Sequence, residues 1–311
     1  MSYPIEKKLV IAVASSALFN LEESDRIFRT QGVEAYSAYQ ASHADEPFGK
    51  GVAFPFVRRL LHLNASFPDE APVEVVLLSR NNAETGRRAF NSIQHYGLPI
   101  SRAVFTSGAS HFQYLKSFNA TLFLSADAQD VRDALQSGVA AGRVLNKGVE
   151  DDDNDMELRI AFDFDSVLVD DEAEKVFASS GDIGCFHAYE KAHADEPLRN
   201  GPVRELLLRI AYYQEMERAK QAADPSYRRI LSTAIVTSRS APAHERMFNT
   251  LKAWHIDVDK LFLLGGIDKA RVLNILRPHI FFDDQVGHFA HLDPNIPAVH
   301  IPFGVCNPEK P

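Results

Sequence analysis

Cysteine is almost missing from this chain: Cys185 and Cys306 are the only two among 311 residues. That scarcity excludes a disulfide framework and a cysteine-built zinc site. Tryptophan occurs once, at Trp254, where a core position is expected. No apolar run approaches the roughly 20 residues that a membrane-spanning helix needs. Positive charge is short as well. Lys and Arg number 33 against 42 Asp and Glu, a net charge of −9, which argues against a nucleic acid polymer or a membrane as the main partner. The start, MSYPIEKKLVIAVASSALF, sets lysines before an apolar run as a signal peptide would, but the run is short and valine-rich and Asn20-Leu21-Glu22-Glu23 follows at once. A buried first strand in a cytoplasmic protein is the expectation.

What remains is an ordinary globular composition, 45% hydrophobic and 24% charged, with room for about two domains. Residues 146–157, NKGVEDDDNDME, hold a run of acids with almost no apolar residue and read as an exposed linker. They split the chain into 1–147 and 148–311.

The two parts carry one pattern twice. His43-Ala44-Asp45-Glu46-Pro47 returns as His193-Ala194-Asp195-Glu196-Pro197, at an offset of 150. LLSRNNAETGRRAFNSI (77–93) aligns with IVTSRSAPAHERMFNTL (235–251), matching Ala83, Arg88, Phe90 and Asn91 to Ala241, Arg246, Phe248 and Asn249 at an offset of 158. Gly108 falls on Gly266 and LFLSA (122–126) on IFFDD (280–284) in the same register. At the first strand, LVIAVASSALF (9–19) falls on LRIAFDFDSVL (158–168). The second part therefore has about eight extra residues near 216–229, a charged helix and turn. Strands alternating with helices in each half predict an α/β fold of two tandem parallel-sheet halves.

The chemistry concentrates in the second half. Asp163 and Asp165 close its first strand, Thr237 closes LSTAIVT and is followed by Ser238 and Arg239, Lys269 follows Gly265-Gly266, and Asp283-Asp284 closes HIFFDD. Ligands of open α/β sheets bind at the carboxyl ends of the strands, so these groups can share one crevice. Asp-x-Asp alone is common by chance. The first half carries Ala14, Ser16, Ser79, His111, Ser125 and Ala126 in the matching places, so the charged set is present or absent as a set. Crowded carboxylates need a cation, and hard oxygen ligands select Mg²⁺, here Asp163, Asp165, Asp283 and Asp284. Thr237, Ser238, Arg239 and Lys269 suit a phosphoryl group. Asp163, coming directly off the strand, is the candidate nucleophile, and Asp165 the candidate acid and base.

Asp-x-Asp, Thr, Lys and Asp-Asp at strand ends, in that order over residues 158–290, resemble the haloacid dehalogenase-like (HAD) phosphohydrolases. AFDFDSVL, VTSRSA, LRPHIFFDDQ, HADEPF, NSIQHYGL and LSADA resemble, more closely and over the whole chain, the cytosolic 5′-nucleotidase I family. That resemblance implies HAD-like Rossmannoid halves, the first degenerate and the second catalytic with a small cap insertion at roughly 172–230. It implies Mg²⁺-dependent hydrolysis of nucleoside 5′-monophosphates, AMP prominently, through an aspartyl phosphate. It also implies homo-oligomers and, for some members, ADP as an activator. Phe164 departs from the pattern, since a small residue is common between the two aspartates. The rival readings are a phosphatase for sugar phosphates or other phosphomonoesters, and a nucleotide-binding regulator.

Other residues are open at this level. Arg239 is either a surface residue or a phosphate or ribose contact. HADEP reads as a helix stop first and a substrate contact second. Phe186 and Tyr189 read as core before base-stacking residues. His279 and His288 read as strand-edge and loop residues, because Mg²⁺ prefers oxygen. The first half reads as scaffold, or as a crevice that takes a nucleotide without hydrolysing it, with His111 as donor.

Overall fold

The computed structural model describes residues 3–82, 85–145 and 148–307. Ala83 of the internal repeat, and Asn146 and Lys147 at the start of the expected linker, lie outside them. The chain divides into two compact units, Met1–Met156 and Glu157–Pro311.

The first unit runs β1 (Leu9–Ala14), α1 (Ser15–Leu18), β2 (Phe19–Asn20), α2 (Glu22–Ser42, broken at Gly32), β3 (Gly49–Lys50), α3 (Phe54–Ser66), β4 (Val73–Ser79), α4 (Arg87–His95), β5 (Arg102–Phe105), β6 (Leu122–Ser125), α5 (Ala128–Gln136) and β7 (Ala141–Val144). Its parallel strands stand in the order β5-β4-β1-β6-β7. Every residue of β1 and β4 is buried, the signature of a parallel sheet covered on both faces. The amino-terminal apolar run is thus a central strand.

The second unit runs β8 (Leu158–Phe162), α6 (Glu172–Ser180), α7 (Ile183–Ala192), α8 (Arg204–Ala223), β9 (Leu231–Thr237), α9 (His244–Ala253), β10 (Lys260–Leu263), α10 (Ala270–Leu276), β11 (Ile280–Asp283) and β12 (Ala298–His300). Its order is β10-β9-β8-β11-β12, again parallel. The two units therefore share one strand order. Among the described residues no helix is long and apolar enough to cross a membrane.

The HADEP motif explains why the pattern recurs. In each unit its histidine Nδ1 lies 2.8 Å from the carbonyl of Tyr39 or Tyr189, one turn back, closing the helix. Asn91 and Asn249 donate to Ala44 and Ala194 carbonyls at 2.8 and 2.9 Å. Arg88 and Arg246 donate to the Glu46 and Glu196 carbonyls at 2.8 and 2.9 Å. Ser92 and Thr250 accept from Phe48 and Leu198 amides at 2.9 and 3.0 Å. The motif is a latch onto α4 or α9. Gly51 and Gly201 are equivalent too: a Cβ there would stand 2.6 Å from the Ala17 carbonyl oxygen and 2.3 Å from that of Val169.

The sequence register needs two corrections. Gly51 donates to Leu18 as Gly201 does to Leu168, so one extra residue sits in the loop after β8, where Ser166 takes a left-handed φ of 57°. The other correction concerns the acidic stretch, which is not a free linker. Asp151 is buried between Arg58 at 2.9 Å and Arg59 at 2.6 Å, both on α3. Lys50 holds Asp153 at 2.8 Å, and Arg58 also donates to the Asp152 and Asp155 carbonyls. Burial of the paired arginines ties residues 151–155 to the first unit, so the division falls at the end of the stretch.

The extra residues near 216–229 lengthen α8 to 20 residues, where α3 has 13. Glu217 in this charged segment is fully buried. It accepts from the Ile230 and Leu231 amides at 2.7 and 3.0 Å and thereby fixes the start of β9. Trp254 is half-buried rather than core, with Arg204 over its ring at 4.7 Å.

Candidate active site

The second unit gathers its charges at the carboxyl ends of β8, β9 and β11. The Asp163 amide donates to Phe282 at 2.8 Å, so Asp163 is still in step with β11 when the chain turns away. Its carboxylate accepts from the Phe164 amide at 2.7 Å and meets Lys269 Nζ at 2.8 Å. Lys269, at the start of α10, also donates to Asp283 at 2.7 Å. Asp283 accepts further from the Gln285 amide at 2.8 Å and faces His288 Nδ1 at 2.9 Å. Asp163, Lys269 and Asp283 are all buried, which makes their electrostatics strong.

Burial pushes Asp163 up to about 7, with Lys269 opposing and Asp283 adding to the rise. Burial alone would raise Asp283, but Lys269 and His288 hold it below the usual carboxylate range. Burial alone would lower Lys269; the two aspartates keep it above its ordinary value.

Asp284 stands next along the chain and is equally buried. Neither of its carboxylate oxygens has a hydrogen-bond partner among the described residues. Burial, with Glu174, Asp163 and Asp283 adding, pushes it up to about 10. Glu174 is likewise raised by burial, and the Ser166 hydroxyl donates to it.

Asp165 goes elsewhere. Arg239 grips both its oxygens, at 2.8 and 2.7 Å. The same guanidinium donates to Glu190 on α7 and lies over the rings of Phe164 and Phe186, at 5.3 and 5.6 Å. Arg246 then joins Glu190 to Glu172, each at 2.9 Å. Burial would lower the Arg239 pKa, but Asp165 and Glu190 hold it above the ordinary value. Arg239 is thus a buried network residue, not a surface one. Phe164 is fully buried, so its ring lies beneath Arg239. Phe186 and Tyr189 are half-buried, and Tyr189 donates to Glu172 at 2.8 Å; neither is core. Thr237 is buried and accepts from the Arg239 amide at 3.1 Å, which turns the chain after β9. Ser238 is exposed.

Two groups of side chains could hold a cation among the described residues: Asp163, Asp283 and His288, and Glu174, Asp284 and Cys306, each with ligand atoms within 4.8 Å of one another. Asp165 belongs to neither. The orphaned oxygens of Asp284 are what a carboxylate site looks like without its ion, and the donors fit a hard divalent cation. Burial pushes the Cys306 thiol up to about 11, and its soft sulfur suits a hard divalent cation less well than the carboxylates beside it do.

Sequence reasoning missed His288, Glu174 and Glu190. The signal was present. Carried further, the internal offsets set His288 on Asp130, Glu174 on Ser24 and Glu190 on Gln40, so these positions also change charge between the halves. His279 is a strand-edge residue as expected, its Nδ1 accepting from the Arg159 amide at 3.1 Å.

A parallel α/β sheet whose strand ends bury a lysine between two carboxylates, with a third left unpartnered, defines a protein built for an anionic substrate and a hard cation. The chain belongs to the 5′-nucleotidase family, whose model matches residues 1–308. It is similar to human cytosolic 5′-nucleotidase 1B, 35% identical over 289 residues, which are 90% of this chain and 46% of that protein. The chain thus spans just under half the length of that relative.

Proposed function

We propose that this protein is a cytoplasmic, Mg²⁺-dependent 5′-nucleotidase that hydrolyses nucleoside 5′-monophosphates, AMP among them, to nucleoside and phosphate. The observation that carries the reading is the buried Asp163–Lys269–Asp283 cluster beside the orphaned Asp284, in a chain of this family. The two units are read as tandem HAD-like halves with only the second catalytic. α6 and α7 are read as the cover over its strand ends. α8 serves as the crossover from β8 to β9, because its Leu206, Leu207 and Ile210 are buried. A homo-oligomer and ADP as an effector rest on the family resemblance alone.

Asp163 attacks phosphorus, and the bond to the ester 5′-oxygen breaks as the aspartyl phosphate forms. Asp165, once released by Arg239 and protonated from solvent, gives that proton to the departing oxygen and then takes one from the water that attacks phosphorus and frees Asp163. Lys269 pairs with the charge of Asp163 and of the phosphoryl oxygens, while Thr237 and Ser238 bind those oxygens. Asp163, Asp283 and Asp284 would hold Mg²⁺, which neutralises the crowded oxygens and screens their repulsion of the phosphoryl group. A phosphate-release panel of nucleoside monophosphates, sugar phosphates and simple phosphomonoesters tests this. Faster release from a sugar phosphate, or release from none of them with Mg²⁺ present, overturns it.

A further inference from the structure

The first unit has a crevice at the same strand ends, a cavity of about 570 Å³, within the usual size of a small-molecule site. Its floor includes Ser15, Ser79 and His111, and its wall is α2. His111 is buried to 1% exposure, yet neither ring nitrogen has a hydrogen-bond partner among the described residues. The nearest carboxylate, Asp130, lies 3.7 Å from Nε2. A buried imidazole with both polar atoms unmet at the bottom of a cavity points to a missing polar partner. The wall presents an aromatic patch to the cavity among its polar residues: Phe28 is 48% exposed, with Tyr36 packed against it at 5.7 Å between ring centroids.

Charge narrows the choice of ligand. Asp25, Asp127 and Asp130 line the cavity against Arg29 and Arg80, and Arg80 is already bound to Asp130. The structure thus returns acids to a crevice that the sequence comparison read as emptied of them. The acidic surplus repels a phosphate dianion. An uncharged molecule with a flat ring at one end and hydroxyls at the other satisfies both surfaces.

We propose that the cavity of the first unit binds an uncharged nucleoside, its base on Phe28 and Tyr36 and its sugar hydroxyls on His111. Such a site would sense the product class of the proposed reaction, and in that clause alone it rests on the proposed function. The experiment is calorimetric titration of the full chain carrying Asp163→Asn with four nucleosides, their 5′-monophosphates and ADP, repeated with Phe28→Ala or His111→Phe added. Phe28 lies at the surface, so its variant folds. The expected result is nucleoside binding weakened about tenfold by either change, with nucleotide turnover unaltered by Phe28→Ala when Asp163 is intact. The proposal falls if no nucleoside binds, if neither variant weakens its binding, or if these variants weaken ADP or monophosphate binding instead. A failed catalytic reading would show separately, as absent phosphate release, and leaves the titration unaffected.

Discussion

The two units hold the same latch and fill it differently. Arg88 and Arg246 both hook the HADEP turn. In the second unit Arg246 continues to Glu190, which holds Arg239, which holds Asp165. In the first unit Arg88 meets Gln40 at 3.3 Å, and the place of Arg239 is taken by Asn81, which accepts from Tyr36 at 2.8 Å. Lys269 sits between two carboxylates; His111, at its place, has none within hydrogen-bond reach among the described residues. The lesson is that a buried charge persists only where its counter-charges persist. The charged set of the second unit therefore includes Glu190 and Arg239 as well as the strand-end acids.

The largest break in the comparison should come from the nucleophile. Asp163→Asn is expected to lower turnover by about 10⁴-fold or more, because the amide is close in shape but cannot attack. Ser16→Ala, after the corresponding strand of the first unit, should leave turnover within about twofold. A comparable loss from both would mean that the units share the chemistry, and a small loss from Asp163→Asn would remove that residue from the mechanism.

Metal removal should come next. Chelation is expected to abolish activity, with Mg²⁺ restoring it and Zn²⁺ failing to do so. Asp284→Asn should destroy activity without lowering the melting temperature of chelated protein, since it removes a buried group that lacks partners. The same change should erase the rise in melting temperature that Mg²⁺ gives the wild type. Unaltered Mg²⁺ stabilisation in Asp284→Asn would take that residue out of the cation site.

Much of this difference was legible in the chain. The constant offset paired Asn91 with Asn249, and the two make the same bond, because a repeated packing surface preserves residue types at fixed spacing. Strand ends were legible because a buried run that stops at an acid has few alternatives. The pairing of Arg239 with Asp165 and the burial of Asp151 by Arg58 and Arg59 were not. Those contacts join residues far apart in sequence, and composition alone makes an acidic run look solvated. Glu217 failed to stand out because two of its partners are the Ile230 and Leu231 backbone amides, which carry no sequence signal, beside the Tyr227 hydroxyl.

Copying the first unit into the second sharpens the comparison. Glu190→Gln leaves Arg239 with Asp165 as its one carboxylate partner and loosens the hold of α7 on both. Turnover is expected to fall roughly 10- to 100-fold, the scale of a misplaced catalytic group, with KM little changed. Unchanged turnover would make the network a packing device only. Smaller still, Asn91→Ala and Asn249→Ala should each cost about 1 kcal/mol, measured by urea unfolding, and their effects should add. A cost at one site alone would show that only one latch bears weight.

The smallest expected effect is in the pH dependence contributed by His111. Burial holds its pKa below the ordinary histidine value, with Arg80 pushing the same way and Asp130 and Asp127 pushing back. The folded chain then takes up this proton less readily than the unfolded chain does. Above the unfolded value, about 6.5, neither state binds it and His111 adds nothing to the pH dependence. As pH falls below that value the unfolded state gains the proton first, so the wild type loses stability progressively until the folded pKa is reached. His111→Phe removes the titrating group while keeping a ring beside Phe123. The stability difference between wild type and variant should therefore be flat from pH 8 to 7 and should shift in favour of the variant between pH 6.5 and 5, by denaturant titration at each pH. Parallel acid losses in wild type and His111→Phe would show that the first unit holds a charged imidazole, and the contrast between the two crevices would shrink to one of neighbours rather than of charge.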